Sequence, residues 1–226
     1  MLPPIEISER RTSADVVFDT LHDSIVSLKL WPGTKLSEAE VAKRFGVSRQ
    51  PVRDAFSRLA NLDLLLVRPQ KATEVRGFSM ERVAHARFLR LSVELEVIRR
   101  ACAVWDETCG RELEENLGRQ EQAVEAGEPE TFHALDATFH LQICELAACD
   151  MAVRTIEECK RTIDRLCKLS LGRGRETAIL LEDHRDMARA LERGSVGDAT
   201  EAVRRHLSRL DDTIAQVQRE HAQYFE

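Results

Sequence analysis

The chain has 226 residues, 43% hydrophobic and 32% charged, a length that suits one or two cores of ordinary size. No apolar run approaches the roughly 20 residues needed to cross a bilayer, and the opening MLPPIEISERR lacks the apolar stretch of a secretion signal, so a cytoplasmic location is expected. The formal charge of -6 argues against a nucleic-acid partner until its distribution is read: residues 41–76 hold 8 Lys/Arg against 3 Asp/Glu, a basic island on an acidic chain.

Behind a short tail (1–12), Val17, Leu21, Ile25 and Leu28 recur at helical spacing and predict a first helix that stops at Trp31-Pro32-Gly33. Ser37-Glu38-Ala39-Glu40 has the form of a capping box and opens a second helix, about Glu38 to Phe45. Gly46 breaks it, and Ser48 is placed to cap a third. There Val52, Phe56 and Leu59 form an apolar stripe, while Gln50, Arg53 and Ser57 project away from it. Pro51 is tolerated because amides of the first turn have no intrahelical partner. Arg49 lies in that turn, where the positive helix end favours phosphate. Arg53, one turn later, can offer a guanine edge its two-pronged fork. LLLVR and ATEV then flank Pro69-Gln70-Lys71 and predict a small hairpin. This order is that of a winged helix-turn-helix, expected over 13–78.

After Phe78 the pattern becomes long amphipathic helices, with breaks expected at Gly110, Gly127 to Pro129, Cys149-Asp150, Gly172 to Gly174 and Gly194 to Gly197. The fold class is therefore mainly α: the winged head, then an all-α bundle of about six helices over 79–222 and a short tail, 223–226. The cysteines (Cys102, Cys109, Cys144, Cys149, Cys159 and Cys167) form no CxxC pair and are expected to act as small hydrophobes.

Within the bundle, DATFH puts Asp136 and His140 four apart, on the side of the helix marked by Phe132, Leu135, Phe139 and Ile143. A carboxylate beside a core needs partners. His184 shares a stripe with Met187, Ala188 and Leu191, and His206 stands between Val203 and Leu207. One histidine on an apolar face is ordinarily a hydrogen-bonded core residue. Three with an aspartate point to a divalent transition metal such as zinc, nickel, cobalt, iron or manganese. His133 faces nearly the same way as His140, as a supporting partner, a substitute ligand or simple packing. His22, His85 and His221 have no such company, and Trp31 and Trp105 are expected in the core or an interface.

The run PGTKLSEAEVAKRFGVSRQPVRDAFSRL resembles the DNA-binding signature of GntR-family transcriptional regulators. The resemblance puts Arg49 and Arg53 at DNA-contacting positions, with Ser48 and Gln50 beside them and Lys71 in the wing. Two positions depart from the family pattern, since Ala72 and Asp63 stand where glycine is usual. The later two-thirds resembles the FCD effector domain, whose metal-bearing members use Asp-x3-His, a histidine opening a helix and another about 22 residues on, here Asp136, His140, His184 and His206. Asp150, where asparagine is frequent, can cap a helix equally well. The family's R-x-x-x-E falls on Arg90 and Glu94. It implies an arginine that meets the carboxylate of a small organic acid effector; the alternative is a surface salt bridge of little consequence.

Together the two resemblances span residues 13 to 222. They imply a homodimer on a palindromic double-stranded operator, with repression the commoner outcome and zinc the first choice of metal. No catalytic residues are expected. The rival readings are a metal-dependent enzyme and a sensor for the metal ion itself.

Overall fold

The computed structural model of the chain describes residues 11–68, 71–169 and 175–226. The chain divides into two compact units, Met1–Phe78 with Glu226, and Ser79–Phe225.

In the first unit, α1 (Ser13–Val26), α2 (Glu38–Phe45) and α3 (Arg49–Asn61) close on a core of Val17, Leu21, Ile25, Val52, Phe56 and Leu59. β1 (Lys35–Leu36), β2 (Leu65–Leu66) and β3 (Thr73–Val75) form an antiparallel sheet in the order β1-β3-β2, with Lys35 opposite Glu74 and Leu65 opposite Val75. The expected hairpin thus gains a strand. Two residues are too few to show the alternation by which a strand is recognised. Pro69 and Gln70, part of the predicted turn, lie outside the described residues.

Helix ends differ from expectation in instructive ways. α1 stops at Val26, short of Trp31-Pro32-Gly33, because Leu28 turns left-handed at φ 59°. Its side chain is still buried, delivered to the core by a turn rather than by a fourth helical repeat. Ser37 and Ser48 occupy N-cap positions with extended backbone, but neither hydroxyl accepts a capping hydrogen bond. The capping box forms instead at Thr12, whose Oγ1 accepts from the Asp15 amide at 3.2 Å while Asp15 Oδ2 accepts from the Thr12 amide at 3.0 Å. Asp63 follows α3 at φ 56°, the left-handed conformation for which glycine is the usual choice and aspartate one of the tolerated substitutes. Trp31 is exposed rather than core.

In the second unit, α4 (Met80–Val104), α5 (Glu107–Ala126), α6 (Pro129–Leu146), α7 (Asp150–Cys167), α8 (Arg175–Glu192), α9 (Val196–Ser208) and α10 (Leu210–Glu220) make a helical bundle. α4 is its spine, packing on α6, α7, α8 and α9. Val97, Ile98, Leu113, Phe132, Phe139, Ile156 and Met187 fill the interior. Gly127 at φ 68° ends α5, and Pro129 opens α6 as expected. Gly110 does not break a helix. It lies inside α5, where a Cβ would stand 2.9 Å from Trp105 Cζ2, so its missing side chain makes room for the indole. The break falls at Trp105-Asp106, with Asp106 Oδ1 accepting from the Thr108 and Cys109 amides at 2.8 Å. Gly172 to Gly174 lie outside the described residues, and Gly197 sits within α9. An unforeseen break at Arg209 separates α9 from α10. No disulfide joins any of the six cysteines, and no helix among the described residues is long and apolar enough to cross a membrane.

The α1 cap makes a pH-dependent contribution. Asp15 accepts from the Thr12 hydroxyl and amide and then from Arg58 Nη1 at 2.8 Å, which together lower its pKa to about 2. Because the folded value lies below the unfolded one, the contribution is complete above pH ~4 and lost as pH falls through about 2. A carboxyl-carbon NMR titration should place Asp15 near the lower value, and Thr12→Ala should move it back toward the ordinary one.

Candidate functional site

α6 carries Asp136 and His140 one turn apart, and α8 and α9 bring His184 and His206 to the same point. All four are buried. One ligand atom from each lies within 4.8 Å of the others. Asp136 Oδ1 is the focus, 3.3 Å from His184 Nε2 and 3.7 Å from both His140 Nε2 and His206 Nε2.

The far sides of the rings explain this convergence. His140 Nδ1 is 2.7 Å from Glu94 Oε2, and Glu94 Oε1 in turn accepts from Arg90 Nε at 2.5 Å. His184 Nδ1 is 2.7 Å from Gln120 Oε1, while Gln120 Nε2 donates to Asn116 Oδ1 at 2.7 Å. An Nδ1–H donated outward leaves the Nε2 lone pair facing inward, which is how metal-binding histidines are ordinarily oriented. His206 Nδ1 faces Asp183 Oδ2 at 3.9 Å. Asp183 is clamped by Arg205 and Arg209. Phe139 stacks on His184 at 4.5 Å between ring centroids, so one core side chain also seats an imidazole of the cluster.

Two observations show that these residues fit a cation. His184 Nε2 is buried without a hydrogen-bond partner. His140 Nε2 and His206 Nε2 stand 3.1 Å apart, close enough to share one proton or one ion between them. Burial opposes the charged form of Asp136, but Lys160 and then the surrounding imidazoles overcome it and hold the carboxyl well below its usual range. Burial, followed by the neighbouring His184 and His140, pushes His206 far below the usual imidazole value. A buried anion beside imidazoles whose charged form burial disfavours, as at His184 and His206, suits ligation, which needs the neutral ring.

Several supporting residues escape sequence reading. Lys160 Nζ donates to Asp136 Oδ2 at 2.8 Å, leaving Oδ1 to the histidines. Gln120 is fully buried in a stripe of apolar positions on α5, the one local sign of a role. Arg90 does pair with Glu94, but in the interior rather than on the surface, and its Nη2 has no partner. His133 is exposed and stands apart from the cluster.

In the first unit, α3 buries Val52, Ala55, Phe56 and Leu59 and exposes Arg49, Gln50 and Arg53. Ser48 and Lys71 are also exposed. The Arg53 fork rests on Glu38 of α2, with Nη2 3.1 Å from Oε2, and Gln50 Nε2 donates to Asp54 Oδ1 at 2.9 Å.

Residues 13–75 match the bacterial regulatory proteins of the gntR family, and residues 86–209 match the FCD domain. The HTH-type transcriptional repressor RspR of Escherichia coli (strain K12) is 38% identical over 210 residues, covering 92% of each chain. The chain belongs to the GntR family. A second relative of this GntR-family protein, an HTH-type transcriptional regulator in an unstable DNA locus of Streptomyces ambofaciens, is 33% identical over 207 residues, 92% of this chain and 87% of that one. The solved structure of E. coli McbR/YncC shares the fold, with a TM-score of 0.70 over 93% of this chain and 99% of that one at 21% identity. This GntR/FCD protein is thus a DNA-binding transcriptional regulator, a member of a family of regulators rather than enzymes.

In the FCD unit, replacing Gln120 removes the group that fixes His184. Gln120→Leu should leave the bundle folded by circular dichroism yet weaken divalent-metal binding ~10- to 100-fold, read by competition with a chromophoric chelator.

Proposed function

We propose that the protein is a ligand-responsive repressor in which a small organic acid, bound beside a divalent metal in the FCD unit, controls operator affinity. Asp136, His140, His184 and His206 would hold the ion, and three imidazoles with one carboxylate suit zinc first, then nickel, cobalt, iron or manganese. Bound there, the ion supplies Lewis-acid affinity for an acid's oxygen. Arg90 recognises the same acid through Nη2, while its Nε stays with Glu94 and so holds the guanidinium in place.

The observation that carries this reading is that two buried nitrogens at the site, His184 Nε2 facing Asp136 and Arg90 Nη2, make no hydrogen bond. A buried polar group left unpaired costs about 1–3 kcal/mol, a deficit that a metal and an anion would relieve. Relief of that kind favours the bound arrangement of the bundle over any other, which is the differential affinity that ligand control requires.

DNA is engaged by Ser48, Arg49, Gln50 and Arg53 at the start of α3, and by Lys71. Arg49 and Lys71 meet phosphate, and Arg53 reads a base edge. The Arg53–Glu38 pair is exposed, so exchanging it for DNA costs little, on the order of 0.2–1 kcal/mol. The protein acts as a homodimer, because two symmetric heads match the two halves of a palindromic operator.

Operator fragments selected from random duplexes provide the test. Arg53→Ala should lower discrimination between selected and scrambled sites by ~1–3 kcal/mol in anisotropy titrations, whereas loss confined to overall affinity would make Arg53 a phosphate contact. With metal-loaded protein, an organic acid should shift operator affinity, and chelator-stripped protein should still bind DNA but ignore the acid. A response to metal alone, indifferent to acids, would instead make the ion the signal.

A further inference from the structure

A cavity of 310 Å³ opens in the FCD unit among α4, α7, α9 and α10. Its apolar wall is built from Leu91, Ile163 and Leu207. Three guanidinium groups line it, and they are in three different states. Arg87 is closed by its ion pair with Asp211. Arg90 is buried, with Nε held by Glu94 and Nη2 without a partner. Arg204 is exposed, and among the described residues no hydrogen bond or ion pair engages it. The cavity therefore offers an unmet donor on the buried Arg90, an unneutralised cation on the exposed Arg204, and an apolar wall.

A monocarboxylate would satisfy one of these and leave the other unmet. A sugar acid would place several hydroxyls against Leu91, Ile163 and Leu207, with only Ser208 and the already paired Arg87 and Asp211 to meet them. We infer that the effector is an organic dianion, two anionic groups joined by a short apolar chain, with one group on Arg90 and the other on Arg204. This rests on the acid-responsive reading above and narrows it to one class of acid; Arg90 is the residue shared with that reading, and none of the four proposed metal-binding residues lines this cavity, so the second anionic group and the chain between lie away from the ion. Each anionic end makes charge-assisted contacts to a planar fork, and the connecting carbons cover the apolar wall.

The test uses full-length, metal-loaded protein in calorimetric titrations with succinate, glutarate and adipate, beside butyrate, pentanoate, hexanoate and gluconate. At least one dicarboxylate should bind about tenfold or more tightly than the monocarboxylate of equal chain length, the effect of one added hydrogen-bonded charge. Arg204→Ala should erase that gap, and Arg204→Lys, which keeps the charge, should retain most of it. Because Arg204 is exposed, neither change disturbs the core. Equal binding of mono- and dicarboxylates, tighter binding of gluconate, or a gap that survives Arg204→Ala would overturn the dianion assignment while leaving an acid effector in place. If neither series binds, the acid-responsive reading falls with it.

Discussion

The second unit is organised around one demand: an ionised carboxylate, Asp136, sits in the interior of a helical bundle. Taking such a charge out of water is costly unless it is paired and hydrogen-bonded. Lys160 of α7 meets one oxygen, and the imidazoles of α6, α8 and α9 surround the other. Every imidazole so placed has a second nitrogen facing the protein interior. His140 calls for Glu94, which calls for Arg90; His184 calls for Gln120, which calls for Asn116. One buried negative charge thus accounts for polar side chains on α4, α5, α7, α8 and α9 that an apolar core would otherwise exclude.

Such a network is strong only where it is complete, because the low-dielectric interior that strengthens each hydrogen bond also raises the cost of each missing one. Here it is nearly complete. Among its atoms without a hydrogen bond, His206 Nδ1 only faces Asp183 at 3.9 Å, while His184 Nε2 and Arg90 Nη2 belong to side chains held elsewhere, through Nδ1 and Nε respectively. Their side chains cannot turn aside to find water without breaking those bonds. The core therefore holds open donor and acceptor positions at fixed places, and a ligand that fills them stabilises the arrangement that presents them.

What was legible in the sequence follows from the range over which side chains reveal themselves. Asp136 and His140 could be seen together because four residues of helix put them on one face, and His184 and His206 could be seen because each stands on an apolar stripe. Lys160 and Gln120 could not, since their partners Asp136 and His184 are 24 and 64 residues away and only packing unites them. Helix ends proved harder still. Ser37 has the right neighbours for a capping box yet leaves its hydroxyl out of the cap, while Thr12 and Asp15 form one. Gly110 looked like a break because glycine ordinarily is one, but the indole of Trp105 explains it instead. Asp63 shows the reverse. The departure from glycine left the left-handed turn intact, because aspartate tolerates that backbone conformation and here its carboxylate is 2.5 Å from Arg76.

The two arginines that matter most illustrate how burial sets a side chain's task. Arg53 is exposed, and its pairing with Glu38 is screened by water and salt, so the fork is oriented but readily exchanged. In the proposed function Arg53 leaves one anion for another on contact with DNA, which requires that it be held loosely. Arg90 pairs with Glu94 in the interior, where breaking the pair would strand a buried charge, so it stays put. It can respond to a second anion only through the nitrogen that Glu94 does not occupy. In the proposed function the same guanidinium chemistry therefore serves as a mobile reader at the surface and a fixed receptor in the core, and solvent access alone separates the two.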